Sequence, residues 1–229
     1  MEGQTYCRIL GTNINVTTMQ DTVTYLTEHL DEMRGRYICV SNCHTTVVAY
    51  HDADYQRIQN GAAMALPDGK PLSLVSKIRG YRNAGRVPGP DLMTEIFKIS
   101  EDKGYRHYFY GSSQHTIDCL KKELLKRYPR LNIVGMYAPP FRQMTEDEDS
   151  RAVSMINDTK PDFVWIGLGA PKQEVWMAEH EHRINGLMLG VGAGFDFHAG
   201  TAKRAPLWVQ EIYMEWLYRL LKNPKRLFR

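Results

Sequence analysis

The chain reads as an α/β protein with a Rossmann-like, mostly parallel sheet covered by helices on both faces. Two observations predict this. Short apolar runs rich in Val, Ile, Leu and aromatics alternate with longer helical patterns along all of the first 190 residues, and strands written as continuous apolar runs belong to sheets buried on both sides. The residues with chemical potential also collect just after those runs, at the carboxyl edge where open α/β sheets bind ligands.

Taken in order, the predicted strands are Tyr37–Ser41, Ala62–Leu66, His107–Tyr110, Ile133–Tyr137, Phe163–Gly167 and Leu187–Val191. Helices are predicted near 17–33, 44–59, 90–103, 114–128, 146–159 and 172–184. After the strands come "NCH", "PDGKP", "GSSQ", "APPFR", "GLGAPKQE" and "GAGFDFHAG". Loops rich in Gly, Pro and polar groups at that edge suit a ligand site. They nominate Asn42, Gly69, Gly169, Lys172, Gln173 and Glu174 as its lining. A helix starting at Pro171 would add free N–H groups and a positive dipole end, which suit a phosphate.

A further helix is predicted over roughly 206–222. There Trp208, Ile212, Trp216 and Leu220 recur every four residues, with Tyr213 and Leu217 beside them. Asn223-Pro224 then interrupts it, and "KRLFR" follows. This gives a catalytic domain over 1–205 and a helical appendage over 206–229. Residues 200–229 carry seven basic groups and two acidic ones, a net +5, which leaves −2 on residues 1–199. Basic residues interleaved with Leu and Phe favour an anionic membrane surface. The slightly acidic body argues against nucleic acid as a partner, and the apolar side of the last helix leaves room for self-association.

Other classes are set aside. No basic region precedes a long apolar run at the start, and no window approaches the roughly 20 apolar residues of a membrane span. The four cysteines, Cys7, Cys39, Cys43 and Cys119, form no C-x-x-C pair; a reduced, cytoplasmic setting is the simpler reading. Gly190, Gly192 and Gly194 resemble a dinucleotide fingerprint, but the last spacing departs from it and no helix is expected to follow. "HDAD", residues 51–54, reads as a solvated helix terminus, and "AEHEHR", residues 178–183, as a polar outer helix face lacking H-E-x-x-H spacing. No metal or other cofactor is expected.

Asp68 follows a strand at once, between Pro67 and Gly69. It is either a turn aspartate satisfying nearby N–H groups or a general base at the ligand edge. Arg86 in "GRVPGPD" and Arg142 in "PPFR" are either solvated charges or bidentate anion clamps.

Together, "ILGTNINVTTMQD", "VSNCHTTVVAYHDADY", "ALPDGKPLSLVSKIRGYRNAGRVPGPDLM", "YFYGSS", "GMYAPPFR", "WIGLGAPKQEVWM", "GVGAGFDFHAGTAKRAP" and "EWLYRLLKNPKRLFR" resemble the WecG/TagA/CpsF family of bacterial glycosyltransferases, glycosyltransferase family 26. The resemblance spans nearly the whole chain in the right order. It implies transfer of a hexose, of N-acetylmannosamine type or related, from a UDP-sugar to a polyprenyl-diphosphate-linked saccharide. The transfer would proceed with inversion, without a metal, at the inner face of the plasma membrane, in cell-surface polysaccharide synthesis. By the same resemblance Asp68 is the catalytic base, Asn42, Arg86 and Gln173 line the pocket, and Arg219, Arg226 and Arg229 close over the diphosphate. Relatives commonly carry Thr where Val40 stands; Ser41 is the residue expected to supply a hydroxyl instead. Relatives also often continue several residues beyond the position of Arg229. The rival expectations are a non-catalytic nucleotide-binding module and a tail-driven membrane or nucleic-acid adaptor.

Overall fold

The structure, a computed structural model, describes residues 4–202 and Pro206. The appendage expected over 206–222 and the remaining tail therefore lie outside the described residues, apart from Pro206.

The chain opens with a hairpin of β1 (Tyr6–Ile9) and β2 (Thr12–Asn15). The sequence reading missed it, since two four-residue strands carry too little apolar alternation to register. Its turn has positive φ at both Leu10 (47°) and Gly11 (85°), the geometry whose twist matches paired strands. Helix α1 (Met19–Glu28) follows, capped by the Thr18 hydroxyl accepting from Asp21 N–H. Next come β3 (Tyr37–Ser41), α2 (Cys43–His51), α3 (Ala53–Gly61), β4 (Met64–Pro67), α4 (Lys70–Ile78) and α5 (Gly89–Lys103). The chain then runs through β5 (Arg106–Gly111), α6 (Gln114–Arg127), β6 (Asn132–Tyr137), α7 (Glu146–Asp158), β7 (Phe163–Gly167), α8 (Lys172–Glu179), β8 (Leu187–Gly190) and α9 (Gly194–Ala199).

All six predicted strands form, within two residues at each end, as one parallel sheet of order β4-β3-β8-β7-β5-β6. Three helical expectations need correction. The helix expected over 17–33 ends at Glu28. The single helix expected over 44–59 breaks at Asp52, whose carboxylate caps α3 by accepting from Asp54 and Tyr55 N–H. The helix expected over 172–184 ends at Glu179. Helices α4 and α9 were not predicted as helices at all.

Side-chain alternation along the strands sorts the core into two layers. Ile38, Phe109, Phe163, Trp165, Leu187 and Leu189 meet α1, α5, α6 and α9 on one face. Tyr37, Cys39, Tyr108, Tyr110, Val164, Ile166 and Met188 meet α7 and α8 on the other. Burying each large apolar side chain contributes roughly 1.5–3 kcal/mol, so both faces of the sheet hold the fold. The hairpin protects the sheet's β4 edge: Asn15 Oδ1 accepts from Ala65 N–H at 2.7 Å, satisfying a donor that an exposed edge strand would leave open.

Candidate active site

Pairing of β3 with β4 brings Ser41 opposite Pro67. Asp68 then donates its N–H to the Ser41 carbonyl at 2.8 Å. This extends the ladder by one rung and sets Asp68 beside Asn42 at the carboxyl edge. Val87 N–H bonds the Pro67 carbonyl at 2.7 Å, which draws the neighbouring Arg86 to the same corner. Gly85 permits that approach, because a Cβ there would sit 2.9 Å from Thr18 Cα. Asp68, Gly69 and Arg86 are all half-buried.

Asn42 has a structural duty as well. Its Oδ1 accepts from His44 and Thr45 N–H while Thr45 Oγ1 accepts from Asn42 N–H, a complete capping box for α2. The cap uses the amide oxygen rather than Nδ2.

The "KQE" triplet divides by depth. Lys172 is exposed, Gln173 is 4 % exposed and Glu174 is fully buried. Gly169, with φ +79°, turns the chain out of β7. The Gln173 amide lies over the end of β8, where a Cβ added at Gly190 would fall 3.1 Å from its Nε2 and 2.7 Å from Met177 Cε. Gln173 Nε2 donates to Glu174 Oε1 at 2.8 Å. Its Oε1 is buried without a partner among the described residues, beside Gly192 and Gly169. Leaving such an acceptor unmet costs roughly 1–3 kcal/mol, and a ligand donor arriving between those glycines would satisfy it. The helix end itself offers less than the sequence suggested. Pro171 is the N-cap rather than the first helical residue, and Gln173 N–H is already bonded to the Gly169 carbonyl at 3.0 Å.

Glu174 lies beneath the edge. Burial pushes its carboxyl above the usual range, and burial likewise raises the Cys39 thiol and the Tyr55 phenol that face it. Gln59 Nε2 donates to the Tyr55 hydroxyl at 3.0 Å and Gln59 Oε1 accepts from Ser41 Oγ at 2.6 Å. The hydroxyl expected of Ser41 at the ligand edge is therefore engaged inside the protein. Ser41 and Glu174 support the site from below. Tyr55 and Gln59, which complete this buried polar chain, were missed: on α3 they look like any polar pair four residues apart.

Arg142 is not gathered with Asp68. It follows β6, which lies at the opposite edge of the sheet from β4. Its guanidinium forks onto Glu148 at 2.7 and 2.6 Å, and Glu148 closes the capping box of α7 with Thr145. With Lys172 and Trp176 it lines a cleft of about 1120 Å³ between α7 and α8. That cleft and the Asp68 corner are thus different places. Arg219, Arg226 and Arg229 lie outside the described residues.

Two further motifs differ from expectation. A helix, α9, does follow the Gly190–Gly194 run, yet Gly194 serves packing, with Met93 Sδ 2.7 Å from where its Cβ would be. His180 of "AEHEHR" is buried, and it links α8 to α7 through Nε2 and Asp149 Oδ1 at 2.8 Å. In "HDAD", Asp52 caps α3 and Asp54 pairs with Arg57, in keeping with a helix terminus. Among the described residues no helix is long and apolar enough to cross a membrane.

Comparison with known proteins gives a consistent answer. The family model described as the glycosyl transferase WecG/TagA/CpsF family matches residues 7–229. A Bacillus spizizenii protein named N-acetylglucosaminyldiphosphoundecaprenol N-acetyl-beta-D-mannosaminyltransferase is 31% identical over 201 residues, covering 87% of this chain and 76% of the relative. Bacillus subtilis and Staphylococcus aureus proteins of the same name are each 29% identical, covering 99% and 96% of this chain and 86% of each relative. With a strand-edge Asp68–Asn42–Arg86 corner carried on a parallel sheet, the chain belongs to the WecG/TagA/CpsF family and is a glycosyltransferase.

Proposed function

We propose that this enzyme transfers an N-acetylmannosamine-type hexose from a UDP-sugar to an N-acetylglucosaminyl group carried on a polyprenyl diphosphate, in cell-surface polysaccharide synthesis. The acceptor and the sugar follow the names of the relatives; the UDP carrier follows the family resemblance. The observation that supports the chemistry is the Asp68 corner: Asp68 follows β4 directly, its backbone N–H bonded to the Ser41 carbonyl at 2.8 Å, with Asn42 and Arg86 beside it.

The reaction is a single inverting displacement. Asp68 takes the proton from the acceptor hydroxyl as that oxygen bonds to the anomeric carbon, and the bond from that carbon to the diphosphate oxygen breaks. The departing UDP carries the electron pair. Arg86 and the tail arginines Arg219, Arg226 and Arg229 neutralise it, in place of a metal ion. Gln173 fixes the donor through its unmet Oε1, and Gly69 and Gly169 border the bound sugar nucleotide. The enzyme works as a peripheral protein on the inner face of the plasma membrane, where its lipid-linked acceptor resides.

Asp68→Asn is the deciding variant. General-base catalysis typically contributes ~10²–10⁴-fold, so turnover should fall by that factor while the dissociation constant for the UDP-sugar changes little. The assay uses a panel of UDP-sugars with a short polyprenyl-diphosphate-sugar acceptor, with and without EDTA. Near-normal turnover of the variant would remove Asp68 from the mechanism, and loss of activity in EDTA would return attention to "HDAD".

A further inference from the structure

Immediately beyond Asp68 the chain becomes cationic. Residues 69–90 contain Lys70, Lys77, Arg79, Arg82 and Arg86 and no acidic side chain. Helix α4 buries Leu72, Ser73 and Ser76 against the fold and leaves Leu74, Lys77 and Ile78 exposed. Lys70, Leu74, Lys77 and Ile78 fall on one helical face by their spacing of four, three and one. Leu74 is 46 % exposed and Ile78 76 % exposed. Between this face and the 84–86 turn lies a cleft of about 300 Å³, lined by Lys70, Ser73, Leu74, Lys77, Gly85 and Arg86.

We infer that this cleft holds the diphosphate of the membrane-bound acceptor, with its polyprenyl chain leaving past Leu74 and Ile78 into the bilayer. The inference rests on the acceptor class proposed above. Three features support it. Lys70 and Lys77, with Arg86 at the border, place cations around one small cleft, which complements a diphosphate. Exposed Leu and Ile beside lysines are what an amphipathic surface needs to lie at a lipid interface. Lys70 is two residues from Asp68, so their Cα atoms are at most about 7.6 Å apart. That is roughly the span of one sugar ring with its substituents, and a sugar reaching from the cleft would bring a hydroxyl to the Asp68 carboxylate. Arg86 stands at the common border: it faces the donor's diphosphate, and the lysines hold the acceptor's.

The test uses the full chain and three kinds of vesicle: phosphatidylcholine alone, phosphatidylcholine doped with a polyprenyl diphosphate, and phosphatidylcholine with phosphatidylglycerol of equal total charge. Lys77→Glu should weaken binding to polyprenyl-diphosphate vesicles at least about tenfold, since each lysine near such a surface is worth about 1 kcal/mol and reversal removes one and adds an opposing charge. In turnover it should raise KM for the lipid acceptor while leaving KM for the UDP-sugar within twofold. Leu74→Ser should weaken the same vesicle binding without changing competition by soluble pyrophosphate, and Lys122→Glu on α6 should change nothing. Equal loss on phosphatidylglycerol vesicles would reduce the cleft to a general anionic surface and overturn the inference. So would unchanged binding and acceptor KM in Lys77→Glu while the wild type transfers sugar to lipid. If the wild type transferred no sugar to lipid yet Lys77 still governed the diphosphate-specific binding, the acceptor reading would fail and the cleft would stand.

Discussion

His107 shows how completely one side chain can be committed to the core. It is fully buried, stacked on Phe163 and set edge-on to Phe97, and its Nδ1 accepts from Trp165 Nε1 at 3.0 Å. Burial lowers its pKa from 6.5 to about 3. The folded state therefore binds fewer protons than the unfolded state between those values. The stability His107 contributes is fully present above about pH 6.5 and is lost on acidification, at roughly 1.4 kcal/mol per pH unit. Glu174 works with the opposite sign, because its raised carboxyl favours the folded state at low pH. Comparing the wild type with His107→Gln separates the two. In urea unfolding the variant should cost stability at pH 7, and that cost should shrink by pH 4.5. A pH-independent difference would mean the imidazole is not held neutral. At this scale Gln173 and Glu174 look alike in sequence yet divide the labour: one presents an unmet oxygen at the edge, and the other anchors it from beneath.

At the scale of elements, the site depends on how closely strand ends approach one another. Gly111 ends β5 with φ +127°, and a Cβ there would lie 2.6 Å from the Gly167 carbonyl carbon at the end of β7. Gly111→Ala should therefore cost more than about 2 kcal/mol, combining a disfavoured backbone with a clash against another strand. Gly104→Ala is the reference. It has φ +71° with nothing within 4 Å, so only the backbone term of about 1–2 kcal/mol applies. Chemical unfolding of both variants checks the ordering. Helix α2 carries a related dependence, since Asn42 caps it and borders the site with the same amide. Cap geometry thereby fixes where Nδ2 points. Helix α4 begins at Lys70 with Gly69 as its N-cap and no side-chain cap, so Asp68 stands outside the helix.

At the scale of the whole molecule, the polar chemistry gathers at one corner of the sheet, where β3, β4 and β8 end, and the cationic α4 face adjoins it. The basic tail belongs to the same design in the proposed reaction. Among the described residues, the three hydrophobic clusters draw on residues between Cys7 and Ala199. Removing residues 219–229 should leave a cooperatively folding protein that binds UDP-sugar and fails to transfer to lipid-linked acceptor. Full activity of that truncation on vesicles would show that the tail arginines have no part in the site. The fold was largely legible because strands buried on both faces must be written as unbroken apolar runs, and six such runs stand out. That Asn42 and Asp68 stand at strand ends was legible for the same reason, since each comes directly after a strand. The hairpin, α4 and α9 were not legible, because short elements packed by context carry little periodicity of their own.

The sequence by itself determined the parallel sheet and the family, since these rest on local periodicity and on motifs in fixed order. Only the tertiary structure decided which edge residues share a corner. Strand order is set by packing between segments far apart in the chain. That ordering places Arg142 at the opposite edge from Asp68, turns the Ser41 hydroxyl inward to Gln59, and brings Arg86 beside Asp68 through a bond between Val87 and Pro67.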